Sequence, residues 1–410
     1  MRFRFVHAAD LHLDTPFSGL ARTDPQVAEQ LRDASLGAWD DLVACTIAED
    51  ASFLLLAGDI YDGPERGVRA QLRFLRGLER LSERGIPVLI VHGNHDPLQG
   101  WSAISRWPAG VTVFPSGAPT AVPVERAGIR LATVVGQSYG RRQEPNNLAQ
   151  DLHRASGGGL AVGLLHTALE PQGNYAPCSQ ADLLASGMDY WALGHTHSAV
   201  VLHQHPHIVY PGALQGRSMA PGEQGPKGAY VVEAETEVLD LRFVALDRAR
   251  LLVAPVPIEG LEDLGALHRT VRTAEELLVR QHGGRMLVVR LELVGRGPLH
   301  AILEPPEARS ELLRDLRDGA SPGIWWESLQ LHTAAPIDRA ARAAAQDFGA
   351  ELIAETERLL ADPALLVQLW EEAAGDARTL LGSTPPTREV LRQALLDADS
   401  LCLERLDSEA

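Results

Sequence analysis

The sequence predicts a layered α/β fold followed by a small second α/β domain and a helical C-terminal region. Short apolar runs alternate with helical patterns over residues 1–250, and the texture changes after Leu246 and again near Pro336. A chain of 410 residues has room for two or three domains. The expected boundaries are 1–250, 251–335 and 336–410.

Apolar runs at residues 3–9, 53–57, 88–91, 129–135, 160–165 and 190–193 have the length and composition of buried strands. Between the first two, Val27, Leu31, Ala34, Leu42 and Val43 recur at helical spacing after an Asp24-Pro25 opening. Between the second and third, residues 66–84 place Leu72, Leu75, Leu78 and Leu81 on one stripe, and Gly85 supplies the stop. In such layers the carboxyl ends of the strands converge on one sheet edge, where ligands gather. Ala254-Pro255-Val256-Pro257 reads as a linker. A helix over 261–281 and strands at 286–294 and 325–332 suffice for the small domain. From Asp338 the chain is rich in Ala, Leu and Glu and reads as two or three helices, broken at Pro363 and Pro385-Pro386.

Apolar residues make up 45% and charged residues 22%, so a packed core can form. No apolar run approaches the roughly 20 residues of a membrane-spanning helix. Met1 to Phe5 lead into polar His7 and Asp10 rather than a secretory signal. Cys45, Cys178 and Cys402 lie far apart without a pairing motif, which fits a reducing compartment. The expected location is cytoplasmic, with no membrane contact. The net charge of −17 excludes a general nucleic-acid coat, although carboxylates that hold metal ions inflate that figure. Acidic residues outnumber basic ones by roughly two to one after Pro336. Lys227 is the only lysine.

Five segments carry chemistry: Asp10-Leu11-His12, Gly58-Asp59, Gly93-Asn94-His95-Asp96, His166 and Gly194-His195-Thr196-His197. Each follows an apolar run. Carboxylate, imidazole and amide oxygen without thiolate suit divalent metals of intermediate hardness. Asp10, His12, Asp59, Asn94, His166, His195 and His197 offer seven donors, with His95 to spare. That number suits two ions about 3.5–4 Å apart sharing one carboxylate. Each segment alone is weak evidence, since Asp and Gly are common at strand-end turns; the ordered set of five is strong. His203-x-His205-x-His207 reads as three imidazoles on one face of a solvated strand, or else as a stray metal site. His7 and His92 read as structural hydrogen-bonding groups, and His153 as a poor ligand candidate.

This ordered set resembles the calcineurin-like metallophosphoesterases over about residues 1–245, which implies a metallophosphoesterase sandwich with a capping domain. The segments from His7 to Asp14 and from Gly58 to Asp62 look most like the SbcD-type DNA-repair nucleases, especially their YhaO-like branch. Tyr210-Pro211-Gly212, Gln215-Gly216-Arg217 and Pro226-Lys227-Gly228 look similar to the same branch. The resemblance implies that Asp10, His12 and His197 bind one metal and Asn94, His166 and His195 a second, with Asp59 bridging. His95 would face the scissile phosphate, and Asp96 would orient His95. The expected cofactors are two divalent ions, with Mn²⁺ as the expected species. The expected partners are DNA, an SMC-like ATPase docked on the C-terminal helices, and a second copy of the chain.

Asp62 departs from this pattern, because SbcD-type relatives often carry a histidine there. Two functions therefore stand side by side: a Mn²⁺-dependent DNA exonuclease or endonuclease in repair, and a metallophosphoesterase for a small phosphodiester or phosphoprotein. A scaffold that has lost its chemistry is a third reading, which the intact His95 opposes. Leu365, Leu366, Leu369, Leu391, Leu395 and Leu396 form helical stripes that either dock a partner or pack back on the cap.

Overall fold

The computed structural model describes residues 2–15, 17, 25–63, 67–100, 104, 106–170, 172–235, 238–345, 347–373 and 386–408. Asp24 and Pro385, read above as helix signals, lie outside them. The chain runs β1 (Arg2–Ala8), α1 (Pro25–Ala48), β2 (Leu54–Ala57), α2 (Val68–Glu83), β3 (Val88–Val91), β4 (Val111–Val113), β5 (Thr120–Arg126) and β6 (Ile129–Gln137). Next come β7 (Leu160–His166), α3 (Gln180–Ala185), β8 (Tyr190–Gly194), β9 (Val200–Gln204), β10 (His207–Tyr210), β11 (Gly228–Glu235), β12 (Val238–Ala245) and β13 (Ala249–Pro257). The rest is α4 (Leu264–His282), β14 (Met286–Arg296), α5 (Leu299–Leu303), α6 (Pro306–Asp318), β15 (Ile324–Ala334), α7 (Arg339–Ala343), α8 (Phe348–Ala361), α9 (Pro363–Ala373) and α10 (Arg388–Ser408).

Two compact units divide the chain. One holds Met1–Val256, Thr270–Glu292 and Arg309–Gln330; the other holds Pro257–Arg269, Leu293–Ala308 and Leu331–Ala410. In the first unit, two six-stranded sheets have the orders β12-β11-β1-β2-β3-β4 and β5-β6-β7-β8-β10-β9. Period-two alternation explains the layering. Phe5, Phe53, Leu55 and Leu89 of one sheet pack on Val134, Val162, Leu164 and Tyr190 of the other. Phe5 stacks on Phe53 at 4.9 Å and meets the edge of Tyr190 at 5.2 Å. The alternate residues Val6, Leu54, Leu56, Val88 and Ile90 face Trp39, Leu42, Phe74 and Leu78 of α1 and α2. The outer face of the second sheet packs Leu165, Trp191 and Ile208 against Leu148 and Leu183. The result is an α/β/β/α sandwich.

Several sequence expectations need correction. The strands that end in Asp, His and Asn do not share one sheet edge: β1, β2 and β3 lie in one sheet, β7 and β8 in the other. Strands β1, β2 and β3 run parallel to one another, as do β7 and β8, so the motifs gather at one end of each sheet. Strands β4, β5, β9 and β12 occupy the four sheet edges, where mixed polar sequence conceals them from an apolar-run criterion. On α2, the buried face is Ala70, Gln71, Phe74, Gly77, Leu78 and Leu81, while Leu72 is 46% exposed. A three-residue spacing lags the helix by about 60° per step, so the leucine stripe turns out of the core.

Ala254-Pro255-Val256-Pro257 is not a linker but the end of β13, with Ala254 and Val256 buried and both prolines exposed. The third sheet has the order β13-β14-β15, and proline is tolerated because β13 is an edge strand. In the second unit, α8, α9 and α10 pack together. Ile353, Leu366, Leu391 and Leu403 are buried there, and Thr356 donates to Asp399 at 2.9 Å. Leu369 and Leu401 stay 39% and 52% exposed. No helix among the described residues is long and apolar enough to cross a membrane.

Candidate metal centre

The loops leaving β1, β2, β3, β7 and β8 bring the five motifs together. Asp10 N donates to Gly58 O and His12 N to Asp59 O, each at 3.0 Å, so the first two loops run side by side past their strands. Asp10, His12, Asp59 and His195 all have positive φ, at 50°, 43°, 49° and 114°. Non-glycine residues adopt this region at a cost of about 1–3 kcal/mol each, and such strain concentrates at functional sites. Gly194 has a different requirement, because a Cβ there would run into Ala57 O and His166 Nδ1.

Asp10, His12 and His166 are fully buried, Asp59 is 2% exposed and Asn94 5%. His166 Nδ1 donates to Ala57 O at 2.9 Å, since a carbonyl can only accept. Its Nε2 sits 2.9 Å from Asn94 Oδ1, so the neutral ring with its proton on Nδ1 turns a lone pair toward a second acceptor. His195 Nδ1 lies 3.3 Å from the same oxygen. His197 Nδ1 donates to Glu223 Oε1 at 2.8 Å, which turns Nε2 toward the other donors. That Nε2 lies 3.3 Å from His12 Nε2. Asp10 Oδ1 is buried without a hydrogen-bond partner. Lone pairs facing each other in a buried site need a proton or a cation between them.

Three sets of side chains can hold an ion by proximity: Asp10, His12 and His197; Asp10, Asp59 and His166; and His12, Asp62 and His95. Asp59 Oδ2 lies 3.4 Å from His166 Nε2 and 3.9 Å from His12 Nε2, between the two imidazole pairs. Its other oxygen accepts from His95 N at 2.9 Å. The donor set fits divalent ions: hard carboxylates and an amide oxygen, with imidazoles fixed by outer partners. Burial and His166 push His195 down to about 4, which keeps it a neutral donor. Burial also lowers His12.

Asp96 does not take the place expected for it beside His95. Its carboxylate accepts from Ile60 N, Gly93 N and His92 Nδ1 at 2.9–3.0 Å, which ties the loops together from beneath. The carboxylate at His95 is Asp62, whose Oδ1 lies 3.1 Å from His95 Nδ1, 3.2 Å from His12 Nδ1 and 2.7 Å from Arg217 Nη1. Asp62 raises His95 above its usual range, against the lowering effect of burial. Burial would raise Asp62, but His12, His95 and Arg217 hold it well below the usual carboxylate range.

Glu223 was not legible as a site residue. It comes from a short 3₁₀ turn and is 7% exposed. The lone Lys227 donates to His197 O at 2.7 Å and also to Gly222 O, closing the turn against the His197 loop. Tyr139 and Tyr175 set their rings 5.7 and 5.3 Å from those of His166 and His195. His7 is a buried structural group bonded to Tyr190 Oη at 3.0 Å, and His153 is exposed. His203, His205 and His207 share no strand face. They wrap around the β9–β10 hairpin, with Ile208 opposite His203 and His207 opposite Gln204.

Residues 3–199 match the calcineurin-like phosphoesterase family, and residues 252–334 match the middle domain of metallophosphoesterase YhaO. The chain is 34% identical over 319 residues to the uncharacterized metallophosphoesterase YhaO of Bacillus subtilis, covering 77% of each chain. It is 27% identical over 226 residues to the DNA double-strand break repair protein Mre11 of Aeropyrum pernix, covering 52% of this chain and 53% of that one. The SbcD component of the Bacillus subtilis SbcCD nuclease is 28% identical over 248 residues, covering 59% of this chain and 56% of its own. The sandwich, the strand-end donors and the YhaO likeness place this chain in the calcineurin-like metallophosphoesterase family.

Proposed function

We propose that the chain is a two-metal phosphodiesterase that cleaves DNA, with Mn²⁺ as its working ion, in a repair role. The observation that carries the metal reading is the convergence of acceptors in a buried site: His166 Nε2 faces Asn94 Oδ1, Asp59 Oδ2 lies 3.4 Å from that nitrogen, and Asp10 Oδ1 has no hydrogen-bond partner. In this reading Asp10, His12 and His197 hold one ion, Asn94, His166 and His195 the other, and Asp59 lies between. Two dications so held would supply charge stabilisation at phosphorus and a water acidic enough to attack near neutral pH. His95 sets Nδ1 3.1 Å from the Asp62 carboxylate, whose charge favours the imidazolium that can pass a proton to the leaving oxygen. Asp96 and Glu223 act through His92 and His197 by fixing the loops and the ring orientation.

DNA is favoured over a small ester by the rim of the site. Tyr175 is 38% exposed beside His195 and offers a face for stacking a base. The exposed Arg141 and Arg142 follow Tyr139 in a loop held to the Tyr175 segment by Glu144 N donating to Asn174 O at 2.8 Å. The names of the Mre11 and SbcD relatives point the same way. The reading assigns residues 1–250 to the nuclease domain, 251–335 to a cap, and 336–410 to docking on an SMC-like ATPase in the cytoplasm. Cleavage of labelled single-stranded, duplex and hairpin DNA with Mn²⁺, lost in His95→Ala, is the test. Hydrolysis of bis-p-nitrophenyl phosphate with no DNA cleavage under any divalent ion would instead leave the small-diester enzyme.

A further inference from the structure

The amino ends of β7 and β8 border a cavity of about 600 Å³ that the metal centre does not use. Strand β7 begins at this cavity with Leu160 and ends at the metal centre with His166. Six steps from Leu160 to His166 at about 3.3 Å each put the two places about 20 Å apart. The volume falls within the range of small-molecule sites.

The polar groups around this cavity are unevenly engaged. Asp189 is fully satisfied: Oδ1 accepts from Arg154 at 2.7 Å and Oδ2 from Ala161 N at 2.8 Å. Arg154 makes both of its bonds, to Asp189 and to Gly187 O, through Nη1. Its Nε and Nη2 have no hydrogen-bond partner among the described residues. Arg130 engages Glu125 through Nε and Nη2 at 3.0 and 2.9 Å, leaving Nη1. His207 is 8% exposed, and its imidazole has no hydrogen-bond partner among the described residues. Its ring lies over Tyr190 at 6.3 Å and against the edge of His205 at 5.6 Å.

Donors are thus in excess while the neighbouring carboxylate is already taken. Guanidinium groups repel a metal cation, so the His-rich hairpin is not a metal site here. An unengaged guanidinium edge binds an oxyanion in a bidentate manner. Phe3, Leu160 and Met188 give the rest of the cavity an apolar wall, and the two imidazoles offer flat faces. We propose that this cavity is a second ligand site, for a small phosphorylated aromatic molecule of the nucleoside monophosphate class. Its phosphate lies on Arg154 and Arg130, and its flat body rests between the apolar wall and the His205–His207 pair. This assignment does not depend on the reading of the metal centre.

Calorimetric titration of the full chain with adenosine monophosphate, with Mn²⁺ or with EDTA, tests it. One saturable site should persist in EDTA and in Asp59→Asn. Arg154→Gln and Arg130→Gln should each weaken that site about tenfold, the loss of one charge-assisted hydrogen bond. Arg130 lies outside the Gly187 turn, so its variant decides the matter if Arg154→Gln misfolds. Both variants should hydrolyse bis-p-nitrophenyl phosphate as the wild type does. Adenosine and inorganic phosphate alone should each bind more weakly than the intact nucleotide. Binding that disappears in EDTA, that ignores Arg130→Gln, or that inorganic phosphate alone reproduces would overturn the assignment.

Discussion

Replacing Glu223 with glutamine keeps an acceptor beside His197 Nδ1 and removes its charge. In the wild type Glu223 accepts from His197 at 2.8 Å and from Arg217 N at 3.2 Å. Burial alone would raise this carboxyl, but His197 and Arg217 outweigh it and bring it down to about 2. The group is therefore ionised at neutral pH. Burial likewise lowers His197, but Glu223 and Asp10 more than offset that and leave it raised. An ionised partner at Nδ1 keeps the lone pair on Nε2 and makes it a stronger donor. A hydrogen bond to a charged group contributes about 1.5–3 kcal/mol, which corresponds to about 10- to 150-fold in a binding constant. Because Glu223 is almost fully enclosed, little of that is lost to solvent screening. Glu223→Gln should weaken Mn²⁺ binding about tenfold at the set containing His197, and Glu223→Ala about a hundredfold. The Asn94, His166 and His195 set should hold its ion nearly unchanged. Manganese titration followed by electron paramagnetic resonance reads the two affinities separately. Equal stepwise affinities in wild type and Glu223→Ala would refute the orienting role. The pH signature has a definite sign. Glu223 is depressed in the folded state, so its stabilisation is present above the ordinary carboxyl range and lost as pH falls toward about 2. The contribution of His197 is present below its ordinary value and disappears as pH rises through its raised one.

Asp59→Ala should abolish occupancy at both metal positions, whereas His95→Ala should retain two ions and lose most hydrolysis; anomalous scattering or calorimetry distinguishes them. Asp62→Asn removes the charge that raises His95, so hydrolysis should fail at a lower pH on the basic side, visible as a shifted limb of the pH–rate profile. An unmoved limb would mean that His95 is not the proton donor. Gly194→Ala should destabilise the fold by about 1–3 kcal/mol in chemical denaturation, because the added Cβ presses on Ala57 O and His166. Wild-type stability in that variant would show that the β8 loop shifts freely.

The strand-end donors were legible because each is a local signal: a buried apolar run, then Asp, His or Asn, with glycine where the turn is tight. Sheet membership was not, since β1, β2, β3, β7 and β8 read alike and only long-range pairing separates them. The outer partners were harder still. Sequence adjacency favoured Asp96 as the carboxylate for His95, but Asp96 turns back to His92 four residues earlier. The group that reaches His95 is Asp62, from the loop after a different strand. Glu223 gave no signal, because it sits in an isolated 3₁₀ turn with no periodicity to mark it.

These hidden partners share a physical logic. A donor histidine needs only a correct position at a strand end, which short-range pattern supplies. Its tautomer and ring angle need a second group from elsewhere in the chain, and that group is specified by tertiary packing. His166 uses a backbone carbonyl and His197 uses Glu223, while His12 and His95 have the charge of Asp62 within 3.2 and 3.1 Å of their Nδ1 atoms. Arg217 links the last two carboxylates, donating to Asp62 at 2.7 Å and lying 3.5 Å from Glu223. A change at Arg217 should therefore disturb His95 and His197 together, acting on each ring through the carboxylate it shares with it. Asp62 and Arg217 thus place a carboxylate paired with a guanidinium at the site, which keeps a positive group there while setting a negative charge 3.1 Å from His95.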